Sequence, residues 1–251
     1  MIITLVMFSM RKLLITGGSG KIGTAFINEA YKQYNIRVID KKPLDISSLA
    51  SLRVEYFCGD ISCYSECLAA CNNIDTILHL AADSAIDSDF RNSLLDNNII
   101  GTYNLYQAAV EQRCKRVVFA SSIHAVSGYP RDVQIKTTMN VRPSSLYGVS
   151  KCFGEAVAYY FSNSLSLSSI VVRIGAYNHP SDYKTWLPKD EFDFFISPED
   201  LHQLFFSAIE EPGIEFAIVH AISNNKYKRL DLTDTIKLLN YTPAHDGFNL
   251  K

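Results

Sequence analysis

The stretch KLLITGGSGKIG, residues 12–23, joins a short apolar run to a glycine-rich turn and then to a helical pattern. The apolar run is Lys12–Thr16, and Gly17, Gly20 and Gly23 follow it with the spacing G-x-x-G-x-x-G. Glycines in such a turn let the backbone approach a pyrophosphate closely, and the N-terminus of the next helix attracts the anion. A glycine-rich loop alone is weak evidence, but this strand–turn–helix context predicts a dinucleotide site.

The rest of the chain continues the alternation of short apolar runs with segments of helical periodicity. Alternating strands and helices favour parallel pairing with right-handed crossovers. We therefore predict an α/β fold with a doubly wound parallel sheet. The predicted strands are Lys12–Thr16, Ile36–Asp40, Val54–Cys58, Thr76–Ala81, Arg116–Ser121, Ser169–Ile174 and Ile214–Ile222, and the predicted helices are Lys21–Gln33, Ser62–Cys71, Ser93–Glu111, Ser145–Ser162, one that starts at Ser197, and Leu230–Leu239.

The pattern predicts a large first unit and a smaller second one. Residues 11–175 contain the glycine-rich turn and most of the strands, and we expect them to form the dinucleotide-binding domain with the reactive residues. Residues 176–251 form a small C-terminal portion, and its first part is rich in aromatic residues, proline and aspartate. We expect that part to cover a substrate. Residues 1–10 are interpreted as an extension.

Bulk composition limits the classes of partner. The chain has 251 residues, a formal net charge of −2 and six cysteines. This charge favours neither a nucleic acid nor an anionic membrane as partner. The apolar N-terminal run is too short to span a bilayer, so we expect a cytoplasmic protein. Cys63, Cys67 and Cys71 recur every fourth residue; a metal site was considered, but reduced thiols packed against a sheet are the favoured interpretation.

Tyr147 and Lys151 are the strongest candidates for catalysis. They stand four residues apart in a predicted helix and therefore share one face of it. A lysine ammonium beside a phenol would lower the tyrosine pKa from about 10 toward neutrality, so that the phenolate can act as a general base. Ser122 ends a predicted strand 25 residues upstream and could orient a substrate hydroxyl. A Tyr-x-x-x-Lys pattern also occurs by chance on exposed helices; the glycine-rich turn and Ser122 favour hydride transfer between a nicotinamide cofactor and a carbinol.

Two aspartates follow predicted strands on the nucleotide side. Asp40 stands 17 residues after Gly23, where a carboxylate can bind ribose hydroxyls and repel a 2′-phosphate. This favours NAD over NADP, although Lys41 and Lys42 could host a phosphate. Asp60 could accept a hydrogen bond from the adenine amino group or could simply cap a helix, and its position leaves both open.

Small and polar residues follow the fourth and fifth predicted strands. Leu80-Ala81-Ala82 could let a cofactor lie against the backbone, and ordinary packing would explain them equally well. Ser84 could face the reacting centre. His124 could bind a polar substrate or could be a hydrogen-bonded loop histidine.

Three longer blocks resemble a known family. They are residues 40–45 (DKKPLD), 98–106 (NIIGTYNLY) and 146–155 (LYGVSKCFGE), and residues 172–175 (VRIG) add to them. With the glycine-rich turn, they look like the extended, epimerase-like branch of the short-chain dehydrogenase/reductase superfamily (NAD-dependent epimerase/dehydratase), and are similar to uronate dehydrogenases in particular. The resemblance covers residues 11–245.

The resemblance implies a Rossmann-type fold and an NAD-dependent dehydrogenase that acts on a CH–OH group. In that family the anomeric carbon of a hexuronic acid is oxidised to an aldarolactone. It implies Tyr147 as base, Lys151 as its electrostatic partner and ribose ligand, and Ser122 as the residue that orients the hydroxyl. The implied substrate contacts are Ser84, Ser122, His124 and Tyr147, and the implied cofactor contacts are Gly17, Gly20, Lys21, Ile22, Gly23, Asp40, Asp60, Ile61, Leu80, Ala81, Ala82, Asn98, Tyr147, Lys151 and Ile174. It also implies a homodimer or higher homo-oligomer, paired through the helices Ser93–Glu111 and Ser145–Ser162.

Two departures from the family pattern concern the substrate. The family has asparagine after the catalytic serine, where this chain has Ile123, and it supplies an arginine after the sixth strand to hold the uronate carboxylate. Here Lys184 or Lys189 would have to replace that arginine, and lysine is not equivalent to it. Alternatives are another extended-family enzyme acting on a sugar or nucleotide-sugar, and an NAD(P)-binding sensor without turnover.

Overall fold

A seven-stranded parallel sheet is the centre of the fold. The structure, a computed structural model, describes residues 10–44, 53–177 and 188–249. The strands are β1 (Lys12–Thr16), β2 (Asn35–Asp40), β3 (Val54–Cys58), β4 (Thr76–His79), β5 (Arg116–Ser122), β6 (Ser168–Ile174), β7 (Ala176–Tyr177), β8 (Phe195–Ile196) and β9 (Phe216–Ala221). The order across the sheet is β3-β2-β1-β4-β5-β6-β9, and β7 pairs with β8 in a separate ladder.

Helices follow most of the strands. They are α1 (Lys21–Ala30), α2 (Tyr64–Cys71), α3 (Gly101–Glu111), α4 (Leu146–Leu165), α5 (Pro198–Glu210) and α6 (Thr233–Leu239). A π-helical segment, Phe90–Ile100, leads directly into α3, and short 3₁₀ turns occupy Ile123–Ala125, Lys189–Phe194 and Gly247–Asn249. None of the described helices is both long and apolar enough to span a bilayer.

Helices cover both faces of the sheet. Leu13 and Ile15 of β1 point to the layer formed by α1 and α5, whereas Leu14 points to the layer formed by α2, α3 and α4. All three side chains are fully buried, and each such burial stabilises the fold by about 2 kcal/mol. Because both faces are covered, the strands are nearly continuous apolar runs, and the predicted doubly wound architecture is confirmed.

The strand order places a crevice at the carboxyl end of the sheet. The chain runs outward from β1 through β2 to β3, and then returns to place β4 on the other side of β1. Ligands of open parallel sheets bind outside the carboxyl ends of the strands at this reversal point. The glycine-rich turn after β1 and the ends of β4, β5 and β6 therefore meet there.

Some predicted boundaries differ from the structure for local reasons. The helix predicted from Ser93 begins earlier, because the Asp89 side chain accepts a hydrogen bond from the Asn92 amide and caps the π-helical segment. The helix predicted from Leu230 begins only at Thr233, because Leu230 instead forms a bridge with Ile135. Ser197 caps α5 as predicted, with its side chain accepting from the Asp200 amide.

The residues after position 176 also contribute to the sheet. Strand β9 pairs with β6 over its whole length, and α5 packs on the same layer as α1. The division at 175/176 and the covering role of the second portion stay predictions, and residues 178–187 of that portion lie outside the described residues. Cys67 and Cys71 of α2 are fully buried against the sheet, as the packing interpretation predicts.

Candidate active site

A cleft of about 790 Å³ lies at the carboxyl end of the sheet. Its volume is in the range of ordinary small-molecule sites. Of the residues predicted for the site, the structure brings most to this cleft: Gly17, Gly20, Lys21, Ile22, Gly23, Asp40, Ile61, Leu80, Ala81, Ala82, Ser84, Ser122, His124, Tyr147, Lys151 and Ile174. Asp60 and Asn98 do not line it.

The glycine-rich turn is shaped so that only glycine fits at two positions. Gly17 has φ +71°, and a Cβ there would lie 2.6 Å from the Ala81 amide nitrogen. A Cβ on Gly23 would lie 2.6 Å from the carbonyl oxygen of Gly17. The sequence therefore lets β1, the turn and α1 approach one another more closely than side chains would allow.

The N-terminus of α1 fits an anionic group. No side chain of the described residues caps it, and its first turn contains no acidic residue. The first backbone N–H groups of a helix have no partner within the helix, and the helix dipole makes this end positive. Since Gly20, Lys21 and Ile22 line the cleft, a pyrophosphate can bind here without displacing a protein carboxylate.

Asp40 holds two backbone segments at the adjoining end of the cleft. Its Oδ2 accepts from the Ser19 amide at 3.0 Å, and its Oδ1 accepts from the Lys42 amide at 2.9 Å. A carboxylate has about four acceptor positions, so two remain for ribose hydroxyls. The strand-end position inferred from sequence is thus correct, and the same carboxylate also joins the glycine-rich turn to the residues after β2.

Asp60 contacts protein groups. Its Oδ2 lies 2.9 Å from Lys41 Nζ, and its Oδ1 accepts from the Ser62 amide at 2.8 Å. Lys41 Nζ also donates to Asn97 Oδ1 at 3.0 Å. This hydrogen bond joins two residues that both line the cleft. Asp60 does not line the cleft and its contacts fit the turn-stabilising alternative, while the adenine contact stays a prediction.

Buried polar side chains of β1 and β4 support the residues at the end of β4. Thr16 Oγ1 lies 2.7 Å from His79 Nδ1 and accepts from the Ala81 amide at 3.1 Å. Complete burial lowers the pKa of His79 to about 3, so this imidazole is neutral. These contacts carry Leu80 and Ala81 over Gly17, which is why β4 ends at His79 and not at the predicted Ala81.

Helix α4 brings the reactive side chains together. Ser145 caps it by accepting from the Gly148 amide at 3.1 Å, and Tyr147 and Lys151 lie in its first turns. Lys151 Nζ is 5.6 Å from the centre of the Tyr147 ring and donates to the carbonyl oxygen of Ala120 at 2.8 Å. Ser122 is at the end of β5, beside the same tyrosine, and its Oγ accepts from the His124 amide at 3.2 Å. The predicted set of serine, tyrosine and lysine therefore occupies one cleft.

The expected lowering of the tyrosine pKa is not observed. Burial raises the pKa of Tyr147, while a hydrogen bond with Ser122 lowers it and the charge of Asp83 raises it further. Burial also lowers the pKa of Lys151 to about 8, so this lysine is still mostly protonated at pH 7 and loses its charge as pH rises through about 8. Four-residue spacing correctly places the two groups together, but it does not reveal the desolvation of either.

Asp83, which is not among the residues predicted for the site, lines the cleft together with Ser84 and Ser93. The carboxylate accepts hydrogen bonds from Ser88 Oγ at 2.7 Å, from the Ala85 amide at 3.1 Å and from Ser93 Oγ. Partial burial opposes its ionisation, but these hydrogen bonds together lower the pKa of Asp83. Its place directly after Ala82 is a signal that could have identified it.

His124 packs against the candidate base. Its ring meets the Tyr147 ring edge to face, with 5.7 Å between centroids. Burial lowers the pKa of His124, so its imidazole is neutral near pH 7 and can donate one hydrogen bond. This agrees with a polar substrate contact and provides no fixed positive charge.

Asn98 is placed behind the cleft. It is buried, its Oδ1 accepts from the Asp83 amide at 2.8 Å, and its Nδ2 donates to the Asp83 carbonyl and to Ser150 Oγ, both at 2.9 Å. It therefore ties the turn after β4 to α4. Asn98 thus supports two cleft-lining segments, and its predicted cofactor role stays a prediction.

A buried ion pair lies under the reactive residues. Glu155 of α4 binds Arg173 of β6 through two hydrogen bonds of 2.9 and 2.8 Å, and Ser121 Oγ donates to the same carboxylate at 2.6 Å. Both charged side chains are almost fully buried. The pair fixes α4 against the ends of β5 and β6.

The two departures noted in the sequence have different positions. Ile123 is buried in the core and does not line the cleft, so its apolar side chain is explained by packing. Lys189 begins a 3₁₀ turn and is exposed, and Lys184 lies outside the described residues. Tyr177 and Gly175 do line the cleft, although they are not among the residues predicted for the site.

Across the described residues, no group of three or more His, Cys, Asp or Glu side chains is arranged to hold a metal ion.

Comparisons with known proteins agree with this geometry. A sequence model of the NAD dependent epimerase/dehydratase family matches residues 13–184. An NAD-dependent glucose-6-phosphate dehydrogenase from Haloferax volcanii is 29% identical over 252 residues, covering 94% of each chain. A uronate dehydrogenase from Agrobacterium fabrum is 35% identical over 188 residues, covering 73% of this chain and 69% of that enzyme.

A solved structure extends the similarity to the whole fold. It is a mutant uronate dehydrogenase from Agrobacterium tumefaciens complexed with NAD, with a TM-score of 0.85 and 28% identity. The superposition covers 96% of this chain and 87% of that one.

Proposed function

This chain belongs to the NAD dependent epimerase/dehydratase family, and from that membership we propose that it oxidises the anomeric carbon of a hexuronic acid to an aldarolactone. It is an NAD-dependent dehydrogenase that acts on a CH–OH group. The observation that carries the proposal is the meeting of Ser122, Tyr147 and Lys151 in one cleft with the uncapped N-terminus of α1.

The cofactor fits along the carboxyl edge of the sheet. The pyrophosphate would lie at the N-terminus of α1, beside Gly20 and Ile22, and the adenosine ribose would bind the two remaining acceptor positions of Asp40. Lys151 would hold the other ribose, next to the reacting centre. Bound NAD supplies a hydride acceptor and a positive charge that favours a nearby phenolate.

The side chains divide the proton chemistry among them. Tyr147 takes the proton from the hydroxyl on C1, Ser122 orients that hydroxyl, and the Lys151 ammonium stabilises the phenolate. The two electrons of the C1–H bond leave as hydride, so one hexuronate and one NAD give one aldarolactone, one NADH and one proton. Because the pKa of Tyr147 is raised, the active phenolate becomes more abundant as pH rises, and kcat should increase with pH until Lys151 loses its proton near pH 8 and then level off.

The substrate end is polar but lacks a described arginine. Ser84 is exposed there, and the neutral ring of His124 can donate to a sugar oxygen. Among the cleft-lining residues that the structure describes, no arginine is available for a carboxylate. We propose Ser84 and His124 as sugar contacts, which serve a neutral sugar as well as a uronate. Oxidation of an uncharged aldose is the second candidate function, and the charge of Asp83 favours it.

Asp40→Asn is expected to relax the preference for NAD. The amide keeps the size of the side chain and an acceptor, but it no longer repels a 2′-phosphate. We expect the ratio of kcat/KM for NAD to that for NADP to fall roughly tenfold, about 1.4 kcal/mol of discrimination. Steady-state rates with both cofactors measure it. Glu55→Gln is the matched control, because Glu55 is an exposed carboxylate of β3 that pairs with Arg37. An unchanged ratio in Asp40→Asn would refute the ribose assignment.

We also propose that the chain pairs with a second copy through α3 and α4. Large apolar side chains are exposed on these helices, among them Tyr103, Val149 and Tyr160. Exposed apolar patches of this kind mark contact surfaces in many proteins. Sedimentation equilibrium tests the proposal: the mass of a dimer supports it, and the 28.2 kDa of one chain refutes it.

The test of the proposed function is NADH formation by the purified protein with NAD and glucuronate or galacturonate. The matching neutral hexoses separate the first candidate from the second.

A further inference from the structure

Asp83 carries a charge that the reaction does not require. It follows β4 and lines the cleft next to Ser84, one of the proposed sugar contacts. The proton transfer proposed above needs a base, a hydroxyl and a cation, and a second carboxylate has no part in it. A fixed negative charge at this point must still act on whatever binds there.

The carboxylate of Asp83 is held in place from several sides. Three donors reach it, from Ala85, Ser88 and Ser93, and Asn98 binds both the amide and the carbonyl of its backbone. A side chain with this many partners keeps one orientation and stays ionised, because each donor stabilises the charged form. About four acceptor positions exist on a carboxylate, so one remains for a ligand hydroxyl.

The charge reaches the reacting centre. Asp83 lines the same cleft as Tyr147, and its electrostatic effect on that hydroxyl is part of what disfavours the phenolate. The other charged side chains lining the described part of the cleft are Lys151, used in the reaction, and Lys21, Asp40, Lys41 and Lys42 beside the glycine-rich turn and the end of β2. Apart from Lys151, the cations lining the described part of the cleft therefore stand beside the glycine-rich turn and the end of β2, whereas Asp83 adjoins the proposed sugar contact Ser84.

We propose that Asp83 is a specificity-determining residue, whose fixed carboxylate narrows the preference of the site for sugar acids over uncharged aldoses by accepting from a sugar hydroxyl and repelling a substrate carboxylate. This inference rests on the proposed function, because it concerns the sugar bound in the same cleft. It predicts that the wild-type enzyme oxidises neutral sugars together with uronates, and that its preference for uronates is smaller than that of an enzyme without the Asp83 charge.

Asp83→Asn tests the role of the charge at constant size. We expect the ratio of kcat/KM for glucuronate to kcat/KM for glucose to rise roughly tenfold, since one unit charge acts across a partly desolvated cleft. Asp87→Asn is the matched control: it removes the same charge from the same turn, but Asp87 is exposed and does not line the cleft. Its ratio should change less than twofold.

The possible outcomes separate this inference from the proposed function. Turnover in all variants with an unchanged ratio in Asp83→Asn overturns the role of Asp83 alone. Absence of turnover by the wild-type enzyme with every sugar overturns the proposed function and this inference with it. Asp83→Ser, which retains an acceptor for the Ala85 amide, replaces Asp83→Asn if the latter does not fold, as judged by its melting temperature and by NADH binding. A rise in the ratio with either variant supports the inference.

Discussion

Tyr147→Phe is expected to lower kcat roughly a thousandfold while NAD binding changes less than twofold. The substitution removes the phenol oxygen that takes the proton from the hydroxyl on C1, and general-base catalysis contributes about a hundredfold to ten-thousandfold. The phenyl ring fills the same volume beside His124, so the cleft keeps its shape. Steady-state turnover and NADH fluorescence titration measure the two effects separately.

Tyr227→Phe provides the matched control. Tyr227 is exposed, lies on neither α3 nor α4 and does not line the cleft, so its hydroxyl should be dispensable. A Tyr147→Phe variant that retained turnover would show that another group is the base, as would a pH profile that still rises on the alkaline side. Loss of NAD binding together with turnover would instead show that Tyr147 holds the cofactor. An NAD sensor without turnover would respond to NAD in the same way in the wild-type protein and in Tyr147→Phe.

Glu155→Gln is expected to destabilise the fold by about 3–5 kcal/mol, the usual cost of removing one partner of a buried ion pair. Arg173 would remain 1% exposed with no carboxylate to balance it, and Ser121 would lose its charged acceptor. For a domain of this size, the melting temperature should fall by roughly 10 °C. Thermal and urea unfolding measure the change.

The exposed pair of Arg37 and Glu55 gives a reference for this effect. Glu55 is 62% exposed, and an exposed pair contributes at most about 1 kcal/mol, so Glu55→Gln should shift the melting temperature by a few degrees at most. Replacing both Glu155 and Arg173 by methionine should restore part of the lost stability, because no buried charge is then left alone. Equal stability of Glu155→Gln and the wild-type protein would mean that water reaches the pair.

The fold and the cofactor edge of the site were largely predictable, because they depend on short-range patterns. The alternation of apolar runs with helical segments predicted the parallel sheet, and β3 has the predicted bounds Val54–Cys58. The spacing of Gly17, Gly20 and Gly23 predicted a tight turn between a strand and a helix, and the structure shows this turn with Gly17 packed under Ala81. Four-residue spacing was sufficient to place Tyr147 and Lys151 on one face.

The features that escaped prediction depend on contacts between distant segments. Asp83 directly follows Ala82, but Asn98, on another element, holds its backbone, and no local pattern reveals that contact. The raised pKa of Tyr147 follows from burial, which a helical spacing does not reveal. Asp60 was a candidate for adenine from its position alone, and its contact with Lys41 became visible only in three dimensions.

The central claim, NAD-dependent oxidation of a hexuronic acid at C1, is tested most directly by comparing kcat/KM for glucuronate, galacturonate and the matching neutral hexoses. NADH absorbance follows each reaction with purified protein and NAD. The account predicts turnover of the uronates, with a measurable rate for the neutral hexoses because of Asp83. Turnover of neutral sugars alone, or of none of the four, would contradict it.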